Sequence, residues 1–207
     1  MNLGEFHQLV SDSLRRGTTQ DGQIPNQVRL AVMWMERNYN FAYMEQFRLL
    51  QLAMGDRTIS LPSNKIVKSI KLLRLVGEDG VYRDLVKVHP SDLTGLSDRI
   101  RSYWMAGNTT LVLDAIPASN MAGEAVLIEY TDWPTKTDSK HPLIDIAGDV
   151  LLQQTLFFMA AYLRDTTMMS AYKVLRDEAL NTLTRAEDET QYSGQAASMA
   201  YIPPNTV

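Results

Sequence analysis

The spacing of apolar residues predicts helices at both ends of the chain. Residues 3–16 and 24–40 carry apolar side chains three and four positions apart, as one buried face of a helix requires. The same spacing returns between His141 and Leu163, and a narrower apolar stripe continues over residues 167–192. The pattern therefore predicts two helices at each end of the chain.

Between these helices the apolar period shortens towards the alternation of strands. Residues 47–53 and 58–62 flank a turn at 54–57, and this order predicts a β-hairpin. Alternating residues at 65–76 predict a half-buried strand, and the chain returns as another strand over 81–88.

A second hairpin is predicted further along the chain. Gly107-Asn108 separates the apolar segments 102–106 and 109–113, and these two residue types tolerate the backbone angles of tight turns. A proline followed by possible N-cap residues predicts one or two helical turns from Pro90, and residues 124–130 form the last predicted strand.

This order of elements predicts an α+β fold. We expect a helical bundle formed by the N- and C-terminal helices, with an antiparallel β-rich insertion projecting from it. The predicted bundle is discontinuous, over residues 1–46 and 132–192, and the insertion covers 47–131. After Ser193 the composition shifts to Gly, Ala, Ser, Pro and Asn, which predicts an extended C-terminal tail over 193–207.

Composition removes several kinds of chemistry. The chain has 207 residues, a formal net charge of −4 and no cysteine, so disulfides, thiolate zinc sites and a cysteine nucleophile are excluded. Its N-terminus lacks the pattern of a signal peptide. The most apolar window, Val150 to Leu163, is shorter than the ~20 residues of a membrane span. We therefore expect no membrane span and a buried core helix there.

The charge distribution leaves two interpretations of the middle of the chain. Residues 56–106 carry nine Lys and Arg against six Asp and Glu. They predict either a DNA-facing strip or the solvated face of a sheet, and the second is favoured. Aromatic residues interleaved with basic ones could stack on single-stranded bases or pair in a core, and the core is again favoured. These residues are Phe41, Tyr43, Phe47 and Arg48, and Arg99, Arg101, Tyr103 and Trp104.

Candidate catalytic and metal-binding residues are few. His7, His89 and His141 lie in three different predicted elements, without a second ligand at metal-binding spacing. Asp145 and Asp149 could bind a divalent ion, but carboxylates also favour the positive end of a helix dipole, and that interpretation is preferred. Phosphate-binding and nucleophile-elbow motifs are absent from the sequence. We therefore expect no enzyme, no cofactor and no metal site.

A set of proline, aromatic and apolar landmarks resembles the head-to-tail adaptor (connector) proteins of tailed bacteriophages, among them the podophage tail tubular proteins. The resemblance spans nearly the whole chain and lies in the order of elements. The landmarks are Ile24-Pro25-x-x-Val28-x-x-Ala31, Trp34, Tyr39-x-Phe41, Gly55 to Leu61-Pro62, Tyr103-Trp104, Leu111-Val112-Leu113 and Glu129-Tyr130.

The resemblance implies a virion structural protein of the neck, assembled in the host cytoplasm. It implies a homo-oligomeric ring, a dodecamer, seated under the portal protein and providing the docking platform for a downstream tail or nozzle protein. Viral DNA would pass through its lumen without sequence-specific binding, as genome ejection requires. The net acidity of the chain is compatible with a lumen along which DNA slides.

The same resemblance implies a portal-binding C-terminal segment and a tail-facing β-rich part, and composition and position suggest the candidate docking residues in each. The last helix and tail are the candidate portal-binding arm: Leu175, Leu183, Tyr192, Met199, Tyr201 and Ile202. The predicted turns of the β-rich insertion are the candidate tail-facing group: Gly55, Asp56, Gly77, Gly80, Gly107 and Asn108. The alternatives are a tail-completion or baseplate structural protein, and a single-stranded DNA-binding module.

Overall fold

The computed structural model describes residues 1–14, 22–61, 65–77, 80–92 and 99–199, with the backbone alone over 186–199. It confirms the α+β class. The chain divides into two compact units, a helical unit of residues 1–35 and 133–207 and a β-rich unit of residues 36–132. The β-rich unit thus begins before the predicted boundary at 47, within the last turn of a helix.

Four α-helices lie in the described part of the chain. They are α1 (Leu3–Leu14), α2 (Ile24–Asn38), α3 (Pro142–Tyr162) and α4 (Thr166–Met199). α1 begins with a capping box, because the Glu5 N–H donates to Asn2 Oδ1 and the Asn2 N–H donates to Glu5 Oε2, both at 2.8 Å. Its buried face is Leu3, Phe6, Val10 and Leu14.

α3 is the central helix of the helical unit. By length and composition it could cross a membrane, but 56% of its apolar window is buried inside the protein. The predicted core helix therefore packs within its own fold. Non-helical backbone at Ala147 (φ −143°, ψ 42°) divides α3 into two helical segments, with Asp145 before the break and Asp149 after it.

α4 returns along α3 as an antiparallel partner. The reversal passes through Arg164, whose φ of 57° is left-handed. Arg176 then meets Gln154 and Phe157 of α3. The helix continues to Met199, so residues 193–199 are helical and the predicted extended tail is wrong there, because the backbone propagates the hydrogen bonds of the preceding turns. Residues 200–207 lie outside the described residues.

The described residues of the β-rich unit form two four-stranded sheets. Its strands are β1 (Glu45–Leu52), β2 (Thr58–Ser60), β3 (Val67–Val76), β4 (Tyr82–Asp84), β5 (Val86–Lys87), β6 (Ser102–Ala106), β7 (Thr110–Leu113) and β8 (Met121–Glu129). The first sheet has the order β1-β8-β3-β4 and the second β2-β7-β6-β5. Short 3-10 helices cover Ala42–Met44 and Pro90–Asp92.

The first predicted hairpin is wrong in its pairing. The turn forms, with Gly55 at φ +88°, but β1 pairs with β8 and β2 pairs with β7. The turn carries the chain from one sheet to the other. This crossing lets Leu52 and Ile59 enter one core from opposite sheets.

The predicted strand over 81–88 is divided in the same way. β4 pairs with β3, whereas β5 joins the second sheet beside β6, and Leu85 between them is buried in the core. The β5–β6 pair is parallel, so the prediction of an antiparallel insertion is wrong for this pair. The β6–β7 hairpin forms as predicted, with Gly107 at φ +80° in its turn.

The two sheets enclose a common apolar core. It receives side chains from both sheets, including Leu50, Leu73, Leu111, Leu113 and Leu127. The close contact of β8 with β3 requires Gly123, since a Cβ there would lie 2.6 Å from Leu75 Cδ2 and 2.7 Å from the Arg74 carbonyl oxygen.

Candidate docking surfaces and buried polar clusters

The candidate portal-binding residues lie along α4. Leu175 is 45% exposed and Leu183 is half-buried. Tyr192 and Met199 lie on the last turns of the helix, where the backbone alone is described, and Tyr201 and Ile202 lie outside the described residues. The sequence stripe did not single out Val174, although it is more exposed, at 57%.

Leu175 contributes to a cleft of the helical unit. Side chains from α1, α3 and α4 line it: Asp12, Ser13, Leu152, Gln153, Leu156, Tyr172 and Leu175. Gln153 Oε1 accepts no hydrogen bond within the part of the chain that the structure describes. The cleft thus combines leucine side chains with two acceptor groups, the Asp12 carboxylate and the Gln153 amide oxygen.

The candidate tail-facing residues do not form one group. β1 and β3 end on the same row of the first sheet, through Gln51, Ala122 and Val76, so the turns that follow them lie at one end of that sheet. These turns carry Gly55, Asp56, Gly77 and Gly80. Gly107 and Asn108 lie beyond Ser60, at the other end of β2 from Gly55.

The outer face of the first sheet presents apolar side chains at its free edge. Phe47 and Leu49 on β1 are 57% and 69% exposed. Phe47 lies beside Val126, which lies beside Leu72, so a half-exposed apolar row crosses three strands. The sequence favoured a core role for Phe47, which is wrong, because β1 places its odd-numbered residues on the outer face.

The other aromatic candidates have mixed outcomes. Tyr103 is buried in the sandwich core, as favoured. Trp104 points to the other face, where the Arg57 guanidinium lies 5.2 Å from its ring centroid. Phe41 is buried and stacks on Tyr43 at 5.6 Å, again as favoured. The Trp104 ring already has a cationic partner from its own chain.

A polar cluster surrounds the first residues of the β-rich unit. The Tyr43 hydroxyl donates to Glu36 Oε1 at 3.1 Å. Lys68 Nζ donates to the carbonyl oxygens of Glu36 and Tyr39 at 2.6 and 2.8 Å. Burial raises the pKa of Glu36 and, with the neighbouring carboxylate, the pKa of Tyr43, and burial lowers the pKa of Lys68. These groups bind the start of the unit to β3.

Two further buried carboxylates hold strands of the β-rich unit. Arg48 of β1 pairs with Glu129 at 3.3 Å, and Glu129 is only 2% exposed. Asp114, which follows β7, accepts hydrogen bonds from the Arg101 and Ser102 N–H groups and from Ser102 Oγ. Glu129 thus binds a strand that is distant in sequence, whereas Asp114 binds the start of β6 across the β6–β7 hairpin.

The histidines have separate environments. His141 is fully buried and caps α3, its Nδ1 accepting from the Leu143 N–H at 3.3 Å, and burial lowers its pKa to about 4. Burial also lowers the pKa of His7. His89 is exposed and lies 2.7 Å from Ser91 Oγ.

The two aspartates that could have bound a divalent ion have different partners. Asp145 Oδ1 lies 3.3 Å from the N-terminal amine, and Asp149 Oδ1 accepts from the Val150 N–H at 2.8 Å. Across the described residues, no group of three or more metal-ligating side chains is present.

Arg176 of α4 contacts two aromatic rings and two polar side chains of the helical unit. Its guanidinium lies 5.1 Å from the Trp34 ring and 5.6 Å from the Phe157 ring. It donates to Gln154 Oε1 at 3.1 Å and pairs with Asp177. The sequence carries no local signal for this role, because the aromatic partners Trp34 and Phe157 lie on two other helices.

Comparison with known proteins adds no assignment, since neither protein-family models nor curated proteins match the chain. The surfaces and clusters described above therefore carry the functional argument.

Proposed function

We propose that this chain is a structural head-to-tail adaptor of a tailed bacteriophage, which forms a ring under the portal, supports the tail and leaves a conduit for DNA. The observation that carries the proposal is the length of α4. It has 34 residues against 21 in its partner α3, so about 20 Å of helix extends past α3 at 1.5 Å per residue.

The length of the α4 backbone supports docking, because the helix has 13 more residues than its partner α3. α4 also contains Tyr192 and Met199, two of the candidate portal-binding residues. The remainder of that candidate arm, Tyr201 and Ile202, follows directly in the sequence.

The β-rich unit supports the second role of an adaptor. An adaptor holds different neighbours and therefore needs more than one docking surface. The exposed apolar edge of β1, with Phe47 and Leu49, provides a candidate surface on the β-rich unit. Contiguous exposed apolar patches on protein surfaces often mark interaction sites.

The polar clusters of the chain support a structural role over a catalytic one. Glu36, Tyr43 and Lys68 bind one another or backbone carbonyls, and Arg48 pairs with Glu129. Charged groups used in this way hold strands in place, whereas a catalytic group must reach a substrate.

Mixing the purified protein with candidate portal proteins tests the proposal. Electron microscopy and native mass measurement should show a ring attached to the portal. Removing residues 193–207 should leave the ring intact and abolish portal binding, while Val174→Gln, an exposed change outside the removed segment, should preserve it.

Normal portal binding by the truncated protein would show that the arm is assigned to the wrong segment. A protein that stays monomeric with every portal would contradict the adaptor role itself. Binding to a tail component without any portal would favour the tail-completion or baseplate alternative.

A further inference from the structure

We propose that neighbouring copies of this chain bind through one defined contact, in which α2 of one copy occupies the cleft of Asp12, Gln153 and Leu175 on the next. This inference rests on the proposed self-assembly into a ring, and it names the surfaces that build the ring.

The exposed face of α2 combines apolar side chains with a positive charge. Leu30 is 48% exposed and Met33 is 41% exposed, three positions apart on one helical face. Arg29 is exposed beside them and is the sole charged residue between Ile24 and Met35.

The cleft has the opposite character. α1 carries Glu5 and Asp12 and no Lys or Arg, and Asp12 is an exposed cleft residue. Leu152 and Leu175 supply apolar walls, and Gln153 Oε1 is a buried acceptor without a donor among the described residues. The cleft thus presents the Asp12 carboxylate, whose Oδ1 already accepts from Gln8 Nε2 at 2.8 Å, beside leucine side chains. A guanidinium and two apolar side chains complement that surface.

Because the two surfaces differ, their contact can repeat head-to-tail from copy to copy. Such a contact leaves a free cleft on one copy and a free α2 face on the next, and repetition produces a closed ring when the rotation between copies closes. A two-fold dimer would instead place α2 of each copy in the cleft of the other, and its measured mass would stop at two copies.

Charge reversal provides a sharp test because the two charges lie on different surfaces. Arg29→Asp makes the α2 face negative against a negative cleft, and Asp12→Arg makes the cleft positive against a positive α2 face. Each variant alone should weaken assembly about tenfold or more, measured as the protein concentration for half-assembly by light scattering or native mass measurement.

Mixing the two variants should restore assembly. Each copy then meets a neighbour of opposite charge at both contacts, so mixed rings should contain the two variants in equal numbers. Glu178→Arg, which reverses an exposed acidic residue of α4 outside the cleft, is the matched control and should assemble as the natural protein does. Asp12→Arg should not damage α1, since a cation near a helix C-terminus is favourable.

Rings that tolerate both single variants, or single variants that the mixture fails to rescue, would overturn this contact while leaving the adaptor role in place. A natural protein that forms no ring, alone or with portal, would overturn the adaptor role and this contact together.

Discussion

The helical unit and the β-rich unit satisfy their buried polar groups in different ways. In the helical unit the partners are mostly local: His141 accepts from Leu143, two residues on, and Thr155 donates to the Leu151 carbonyl, four residues back. In the β-rich unit Glu129 pairs with Arg48, which is 81 residues away. The helices thus depend on short-range bonds, whereas the sandwich depends on side chains that assemble only when the strands are in place.

The largest expected effect comes from substituting one glycine in each unit, Gly123 in the β-rich unit and Gly148 in the helical unit. Gly123→Ala would place a Cβ 2.7 Å from the Arg74 carbonyl oxygen, so it should cost about 3 kcal/mol of unfolding free energy. Gly148→Ala, in α3 with no atom within 4 Å of the added Cβ, should instead gain about 0.5 kcal/mol. Chemical denaturation of both variants tests this. Equal changes in the free energy of unfolding would show that the close contact of β8 with β3 does not exclude a side chain at position 123.

A buried carboxylate of the sandwich should give the next largest effect. Asp114→Ala removes the acceptor for the Arg101 and Ser102 N–H groups and should cost about 2 to 3 kcal/mol, because buried donors lose their partner. Asp114→Asn keeps one oxygen acceptor and should cost less. If calorimetry gives the two variants the same melting temperature, the hydrogen bonds to Asp114 do not stabilise the hairpin.

The helical unit should show the stronger pH dependence. Burial lowers the pKa of His141 from 6.5 to about 4, so the folded state binds fewer protons than the unfolded state between these values. The free energy of unfolding is therefore highest above pH 6.5. It decreases as the pH falls towards 4, and it is lower by about 2 kcal/mol at pH 5. Denaturation at pH 7.5 and pH 5 measures it.

His141→Asn should remove most of this slope, because asparagine keeps an N-cap acceptor and does not titrate. Burial lowers the pKa of His7 in the same direction, so His7 accounts for a remaining slope. His89→Asn, at an exposed histidine of the β-rich unit, provides the matched control variant. An unchanged slope in His141→Asn would assign the acid sensitivity to other groups.

The smallest expected effect tests the Arg176 cluster, through which α4 contacts α2 and α3. Arg176→Lys keeps the charge but loses the planar group that lies over Trp34 and Phe157, so it should cost about 1 kcal/mol. Arg185→Lys, an exposed change on the same helix, should cost nothing measurable. Comparable stability of the two variants in urea would show that the aromatic contacts contribute little.

Much of the fold was predictable from local patterns. The helix from Ile24 and the hairpin at Gly107-Asn108 followed from apolar spacing and turn residues, because these signals act over a few neighbouring positions. The pairing of β1 was not predictable. Its partner β8 lies about seventy residues later in the sequence, and the turn at Gly55 fits a hairpin as well as a crossing between sheets.

The candidate surfaces were also predictable from the sequence only in part. Leu175 was recognisable as part of a stripe on the last helix, but its cleft with Asp12 and Gln153 depends on how α1, α3 and α4 meet. Phe47 had the sequence pattern of a core residue, and only the sheet order placed it at a free outer edge.

By itself the sequence determined the α+β class, the four helices, most strand positions and the absence of cysteine chemistry. These properties depend on residue type and on spacing over a few positions, where backbone geometry restricts the choices. Only the tertiary structure decided which strands pair, where the chain crosses from one sheet to the other and which charged groups are buried. Those outcomes depend on contacts between distant residues, which form together when the two sheets enclose one core.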